Sequence, residues 1–295
     1  MATRLEAPLG TLYVVGTPIG NLEDISLRAL RVLREVSLVA AEDTRRTRVL
    51  LTHYGITTPL VSYREQNKAS ATPRVLRRLA TAPVALVSDA GMPALCDPGG
   101  ELIAQVSALG GRVEVVPGPS AALTALVASG LPTTPFTFVG FLSRQRGDRR
   151  RQLEGLATRP ETLVLYEAPH RLRETLSDLR ASLGDRPVAV CRELTKLHEE
   201  ILRAPLSALV AHFDAVQPRG ELTLVVSGAQ LSGPRPPALT DDEVTSRLLA
   251  AMSGGEDMRA VVTALARATG RPRRDIYARW QELRRSRQAT GDRRQ

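Results

Sequence analysis

At 295 residues the chain exceeds one ordinary domain and fits two or three, with 43% hydrophobic residues to fill their cores and only 3% aromatics, a balance that suits buried parallel strands better than base-stacking surfaces. The formal net charge of +9, carried almost wholly by Arg, favours a polyanionic partner such as RNA. Two widely spaced cysteines, Cys96 and Cys191, argue against a disulfide framework and a zinc site.

The N-terminus, MATRLEAPLGTLYVV, shows no apolar stretch followed by a cleavage site, so a cytoplasmic protein is expected. The apolar run 12–16 reads as a strand ending in Gly, and Ser26 precedes a helical pattern, LRALRVLREV. Strands at 38–42, 60–64, 84–89 and 112–117 alternate with helices at 44–54, 73–80 and 99–109, which predicts a parallel sheet covered on both faces. A second α/β series follows: helices 120–129, 147–157, 171–183 and 205–213, with strands 136–141, 162–167, 187–192 and 221–227. Residues 115–143 carry no charge, but Pro117, Pro119, Pro132 and Pro135 make them core and loops rather than a membrane span. Three helical patterns, 241–252, 257–268 and 273–287, complete the chain. The expected domains are therefore 1–117, 118–230, a Gly/Pro-rich linker 231–240, a helical module 241–288 and a basic tail 289–295.

The loop Gly16-Thr17-Pro18-Ile19-Gly20-Asn21 follows the first strand, where glycines permit close backbone approach to a ligand, yet it matches neither a P-loop nor a dinucleotide fingerprint. Glu42-Asp43 ends the second strand where a ribose-binding carboxylate would lie, which leaves a dinucleotide enzyme as a competitor. Ser88-Asp89-Ala90-Gly91-Met92-Pro93 and Asp97-Pro98-Gly99-Gly100 follow the fourth strand, at the carboxyl edge where parallel sheets place ligands. Ser120 opens a helix, either as a plain cap or as part of an anion-binding terminus. Tyr166-Glu167-Ala168-Pro169-His170-Arg171 and the run 191–200, CRELTKLHEE, end two later strands. His170 and His198 have no Cys partner nearby, so no metal is expected.

In this order, GTPIGNLEDIS (16–26), AEDTRRTRVLL (41–51), SDAGMPALCDPG (88–99), VVPGPSAALTAL (115–126), SGLPTTPFTFVGFL (129–142), YEAPHR (166–171), CRELTKLHEE (191–200) and RGELTLVVSG (219–228) closely resemble one bacterial family. That family methylates the ribose 2′-hydroxyl of a cytidine in 16S rRNA and belongs to the tetrapyrrole methylase superfamily. The resemblance implies two α/β domains with S-adenosylmethionine in the cleft between them, a homodimer, and a small helix-turn-helix-like C-terminal module. It implies cofactor contacts at Pro18, Ile19, Asp89, Met92, Ser120, Ala121, Tyr166, Leu194, Gly220 and Glu221. Where many relatives have a His-Glu-His-Asn-like segment, this chain has Tyr63-Arg64-Glu65-Gln66-Asn67-Lys68, which excludes a His base in that loop.

A hydroxyl nucleophile benefits from a positioned base, and by position the candidates are Glu42, Asp43, Glu193 and Lys196. Asp43 or Glu193 is the expected proton acceptor, with Arg45 and Lys196 on the RNA backbone. The segment 144–151, read as a loop, offers Arg144, Arg146, Arg149, Arg150 and Arg151 to phosphates, and residues 271–295 hold nine Arg against three acidic residues. A tetrapyrrole C-methyltransferase and a non-catalytic RNA-binding or ribosome-assembly protein are the alternatives, separable by substrate and by cofactor binding.

Overall fold

The computed structural model describes residues 9–229, 239–269 and 271–291. The chain divides into two compact units, residues 1–230 and 231–295. Residues 231–238 of the expected linker and 292–295 of the expected tail lie outside the described residues.

The first sheet contains β1 (Thr11–Val15), β2 (Val39–Ala41), β3 (Leu60–Ser62), β4 (Val84–Val87) and β5 (Arg112–Val116), in the order β3-β2-β4-β1-β5 and parallel throughout. Its central strands are apolar because both faces are covered. On one face Val15, Ala41 and Val87 pack against α1 (Leu27–Glu35) and α2 (Thr44–His53); on the other, Leu12, Ala40 and Leu86 pack against α3 (Lys68–Leu79) and α4 (Gly100–Ala108). The order brings β1 beside β4 although 67 residues lie between Gly16 and Val84, so the loops that leave these two strands meet at the sheet's carboxyl edge.

One helix begins earlier than its sequence suggests. Pro73 marks a natural start, yet α3 runs from Lys68 with Pro73 inside it, because Ala71, Thr72, Val75 and Leu79 all fall on the buried face and their packing outweighs one lost backbone hydrogen bond.

The second sheet is mixed. Its strands are β6 (Phe136–Phe141), β7 (Thr162–Glu167), β8 (Pro187–Arg192), β9 (Glu200–Pro205) and β10 (Leu222–Val226), ordered β6-β7-β10-β8-β9, and only the β6–β7 pair is parallel. The edge strand β9 has no counterpart in the sequence reading, since Glu200, Arg203 and Pro205 make its six residues look like loop. Those same residues suit an edge that must not pair further. Helices α6 (Arg146–Leu156), α7 (Leu172–Leu183) and α8 (Leu206–Ala215) cover one face through Leu153, Leu172, Leu176, Leu179 and Phe213. The other face packs against α5 (Ala121–Ser129) and, from the first domain, Ile19. These are two α/β domains with a cleft between them.

In the second unit, α9 (Asp241–Gly254) starts with a capping box in which the Thr240 hydroxyl accepts from the backbone N–H of Glu243 and the Glu243 carboxylate accepts from that of Thr240. It is followed by α10 (Met258–Thr269) and α11 (Arg273–Gly291), and Val244, Leu248, Val262, Leu265 and Ile276 form a core of their own. No helix among the described residues is long and apolar enough to cross a membrane.

Candidate active site

Three loops converge at the carboxyl edge of the first sheet. The backbone N–H of Thr17 donates to the carbonyl of Gly91 at 2.9 Å, and the N–H of Gly91 returns a bond to Thr17 at 3.1 Å. Gly16 and Gly118 lie back to back: a Cβ on Gly16 would stand 2.7 Å from the Gly118 Cα. From the second domain, the Thr195 hydroxyl accepts from the N–H of Asn21 at 3.1 Å, which ties the first loop to the β8–β9 connection. Glu193 and Thr195 hold positive φ angles of 51° and 65° in that connection.

Between the loops is a cavity of about 410 Å³, within the range that accommodates a small ligand. Ile19, Met92, Leu95, Phe141 and Leu194 supply apolar wall, and Ser120, Ala121 and Tyr166 enter from the α5 side. Glu42, Asp89, Asp97 and Glu221 bring acidic side chains, Glu167 borders the space while its carboxylate is held by Thr175 of α7, and among the described residues Arg46 is the one cationic lining residue. Nine of the ten positions implied as cofactor contacts line this space: Ile19, Asp89, Met92, Ser120, Ala121, Tyr166, Leu194, Gly220 and Glu221. Pro18 is buried and does not line it. Ser120 occupies the N-cap position of α5, but its hydroxyl makes no capping bond. Among the described residues no group of His, Cys, Asp or Glu side chains is placed to hold a metal ion.

The four residues considered for catalysis separate. Glu42 lines the cavity, where its Oε2 accepts from the backbone N–H of Asp89 at 3.3 Å and burial pushes its carboxyl above the ordinary range. Asp43 does not. Its Oδ1 caps α2 by accepting from the N–H of Arg45 at 2.8 Å, and its Oδ2 pairs with the Arg45 guanidinium at 2.7 Å. These bonds hold the carboxyl well below the usual carboxylate range, which makes Asp43 a poor proton acceptor and also occupies Arg45. Glu193 accepts from the N–H of Glu221 at 2.9 Å and from Lys196 Nζ at 3.0 Å, and Lys196 reaches Glu221 Oε2 at 3.2 Å. Burial works against ionisation of Glu193, but these donors outweigh it and lower its carboxyl. Glu193 and Lys196 therefore lock the Gly220-Glu221 turn; a Cβ on Gly220, whose φ is +80°, would collide with the Glu193 carboxylate.

Arg46, Asp97, Phe141 and Glu167 also line the cavity, although the sequence reading gave none of them an individual role. Arg46 bridges the two domains, with Nε 3.8 Å from Asp89 Oδ2 and Nη1 3.9 Å from Glu221 Oε1. All four lie inside the quoted motifs, but only the tertiary structure shows which way each faces. Asp97 sits in a tight loop where Ala94 and Cys96 hold φ of 67° and 66°. Burial, then the charges of Glu42 and Asp89, push its carboxyl up to about 7 against a hydrogen bond from Ser88.

The basic segment is not a loop. It is the turn into α6 and the first turns of that helix, with Arg144, Arg146, Arg150 and Arg151 exposed. Arg149 points inward and is only 1% exposed; its Nε donates to Asp178 Oδ2 at 2.8 Å and its Nη2 lies 2.5 Å from Glu174 Oε1. Its charge is consumed by two carboxylates, so it cannot serve a phosphate. The divergent segment after β3 is likewise self-contained: the buried Tyr63 hydroxyl meets Thr72 Oγ1 at 3.1 Å, and Lys68 Nζ pairs with Glu101 at 2.5 Å and Glu65 at 2.6 Å.

Residues 11–210 match the model of the Tetrapyrrole (Corrin/Porphyrin) Methylases. The chain is 49% identical over 230 residues to a protein of Bacillus subtilis named ribosomal RNA small subunit methyltransferase I, covering 78% of this chain and 79% of that one. It is 45% identical over 276 residues to the protein of the same name from Halalkalibacterium halodurans, covering 91% and 93%. Among solved structures it resembles uroporphyrin-III C-methyltransferase from Thermus thermophilus complexed with S-adenosyl homocysteine, at 25% identity and a TM-score of 0.55, covering 74% of this chain and 97% of that one. The two-domain architecture, the cavity between its loops and these similarities agree: the chain belongs to the tetrapyrrole methylase family.

Proposed function

We propose that the protein transfers the methyl group of S-adenosylmethionine to the ribose 2′-hydroxyl of a cytidine in 16S rRNA of the small ribosomal subunit, and that it works in the cytoplasm. The observation that carries this reading is the 45% identity over 91% of the chain to a protein named for small-subunit rRNA methylation, against 25% over 74% for a tetrapyrrole enzyme.

The cavity suits the cofactor. Carboxylates of Glu42 and Asp89 face it for a cation and for hydroxyl groups, Ile19, Met92 and Leu194 offer apolar wall for a flat ring, and the start of α5 offers backbone donors for a carboxylate. When bound, S-adenosylmethionine supplies a methyl carbon activated by its sulfonium. The chain's main task is alignment, which removes roughly 7–11 kcal/mol of barrier in well-oriented reactions. Glu42 is the one sequence candidate left to take the hydroxyl proton, since it faces the cavity and burial strengthens it as a base.

Exposed Arg144, Arg146, Arg150 and Arg151 hold RNA phosphates in this reading. Replacing the four together with Gln is expected to weaken small-subunit binding and to flatten its salt dependence by about 0.7–0.9 in log–log slope for each phosphate that is no longer neutralised, with cofactor affinity unchanged. An unaltered slope in a filter-binding titration would remove these residues from the interface. A homodimer fits the 52% and 75% exposure of Leu123 and Val127, one turn apart on α5.

The deciding experiment is transfer of labelled methyl from S-adenosylmethionine to small subunits that lack the modification, followed by nuclease digestion. Label in 2′-O-methylcytidine is expected. Label in a tetrapyrrole with none in RNA would favour the C-methyltransferase, and absence of cofactor binding would favour a non-catalytic protein.

A further inference from the structure

We infer that Asp97, grouped with Glu42 and Asp89 in the cavity, makes the site prefer a positively charged ligand to its neutral counterpart. The inference rests on the cofactor assigned above, whose sulfonium charge disappears when the methyl group leaves.

The three carboxyl groups come from the ends of β2 and β4 and from the loop before α4, and all line the same space. The other charged groups facing that space are already matched. Glu221 has Lys196 Nζ at 3.2 Å and Arg46 at 3.9 Å. The Glu167 carboxylate is buried and turned to α7, where it accepts from the hydroxyl of Thr175 at 2.5 Å; it also accepts from the N–H of Ala168 at 2.7 Å and lies 3.5 Å from Arg171. Arg46 leans 3.8 Å from Asp89. Asp97 has the Ser88 hydroxyl, the Cys96 thiol and the Tyr166 phenol around it, and no ion pair among the described residues.

Burial and the neighbouring carboxylates push the Asp97 carboxyl up to about 7, so it carries a proton part of the time at neutral pH, and a cation held beside it favours loss of that proton. S-adenosylmethionine should therefore expel a proton on binding, whereas S-adenosylhomocysteine, identical except for the methyl and the charge, should not. The sign follows. Below about pH 7 Asp97 is mostly protonated in the empty site, so affinity for the sulfonium rises from pH 6 to pH 8 and then levels, while affinity for the thioether stays flat. The gain is about tenfold for each pKa unit by which the bound cation lowers the group.

Calorimetric titration of the full chain with each ligand, from pH 6 to pH 8 in two buffers of different ionisation heat, tests this directly. Proton release with the sulfonium alone is expected, and Asp97→Asn should reduce the affinity ratio by about tenfold. If both ligands bind with parallel pH dependence and equal proton release, the inference is wrong while the cofactor assignment stands. If neither binds, the assignment itself fails and the inference with it. The wild-type series decides the matter even if the variant does not fold.

Discussion

Arg149→Met is expected to lower the free energy of unfolding by about 3–5 kcal/mol, read as a drop in the denaturant midpoint at unchanged slope. Arg149 is 1% exposed and the Asp178 side chain 4%, so removing the guanidinium leaves a carboxylate without its main partner in a site poor in water. Arg146 and Arg150 stand 3.9 Å and 3.5 Å from the other oxygen of Asp178, which places the effect toward the lower end. The double substitution Arg149→Met with Asp178→Leu should regain much of the loss, because an apolar pair of similar volume is often as stable as the ion pair it replaces. A double variant as unstable as the sum of the singles would refute this account. Arg149 Nη1 also donates to the carbonyls of Ser143 and Arg144, at 3.4 Å and 3.5 Å, so the single variant should loosen the turn that carries the exposed arginines and weaken small-subunit binding.

The second large effect is expected at Gly118. A Cβ there would lie 2.8–2.9 Å from three backbone atoms of Gly16, and backbone cannot rotate aside as a side chain can. Gly118→Ala should therefore displace the first loop, which also carries Ile19 and the paired Thr17, at a cost of about 1–3 kcal/mol in stability. Misplacing a positioning loop by an ångström can cost on the order of a hundredfold in transfer rate, and a loss of that size is expected in single-turnover assays. Gly155→Ala is the control: nothing lies within 4 Å of the added methyl on α6, so stability should rise by up to about 1 kcal/mol with activity intact. Equal behaviour of the two variants would show that the Gly16–Gly118 contact has no special role.

The sequence by itself determined most of the alternation of strands and helices, since the spacing in 27–35 fits a helix, and short β-branched runs such as 84–87, bounded by Pro83 and Asp89, suit buried strands. It also placed the loops at the ends of β1 and β4, where Gly, Asp and Pro mark the chain's turns. Tertiary structure decided what local pattern could not carry. The six residues of β9 look like loop until β8 offers a partner, and antiparallel pairing in the second sheet depends on the long-range meeting of β10 with both β7 and β8. Charged residues were the hardest to read, because a motif shows that a side chain is charged but not which way it faces. Adjacent Glu42 and Asp43 part company, one into the cavity and the other onto a helix end, and among the clustered arginines Arg149 alone turns inward. The physical reason is that a charge takes its role from the partners and burial it meets, and those are set by contacts between segments far apart in the chain.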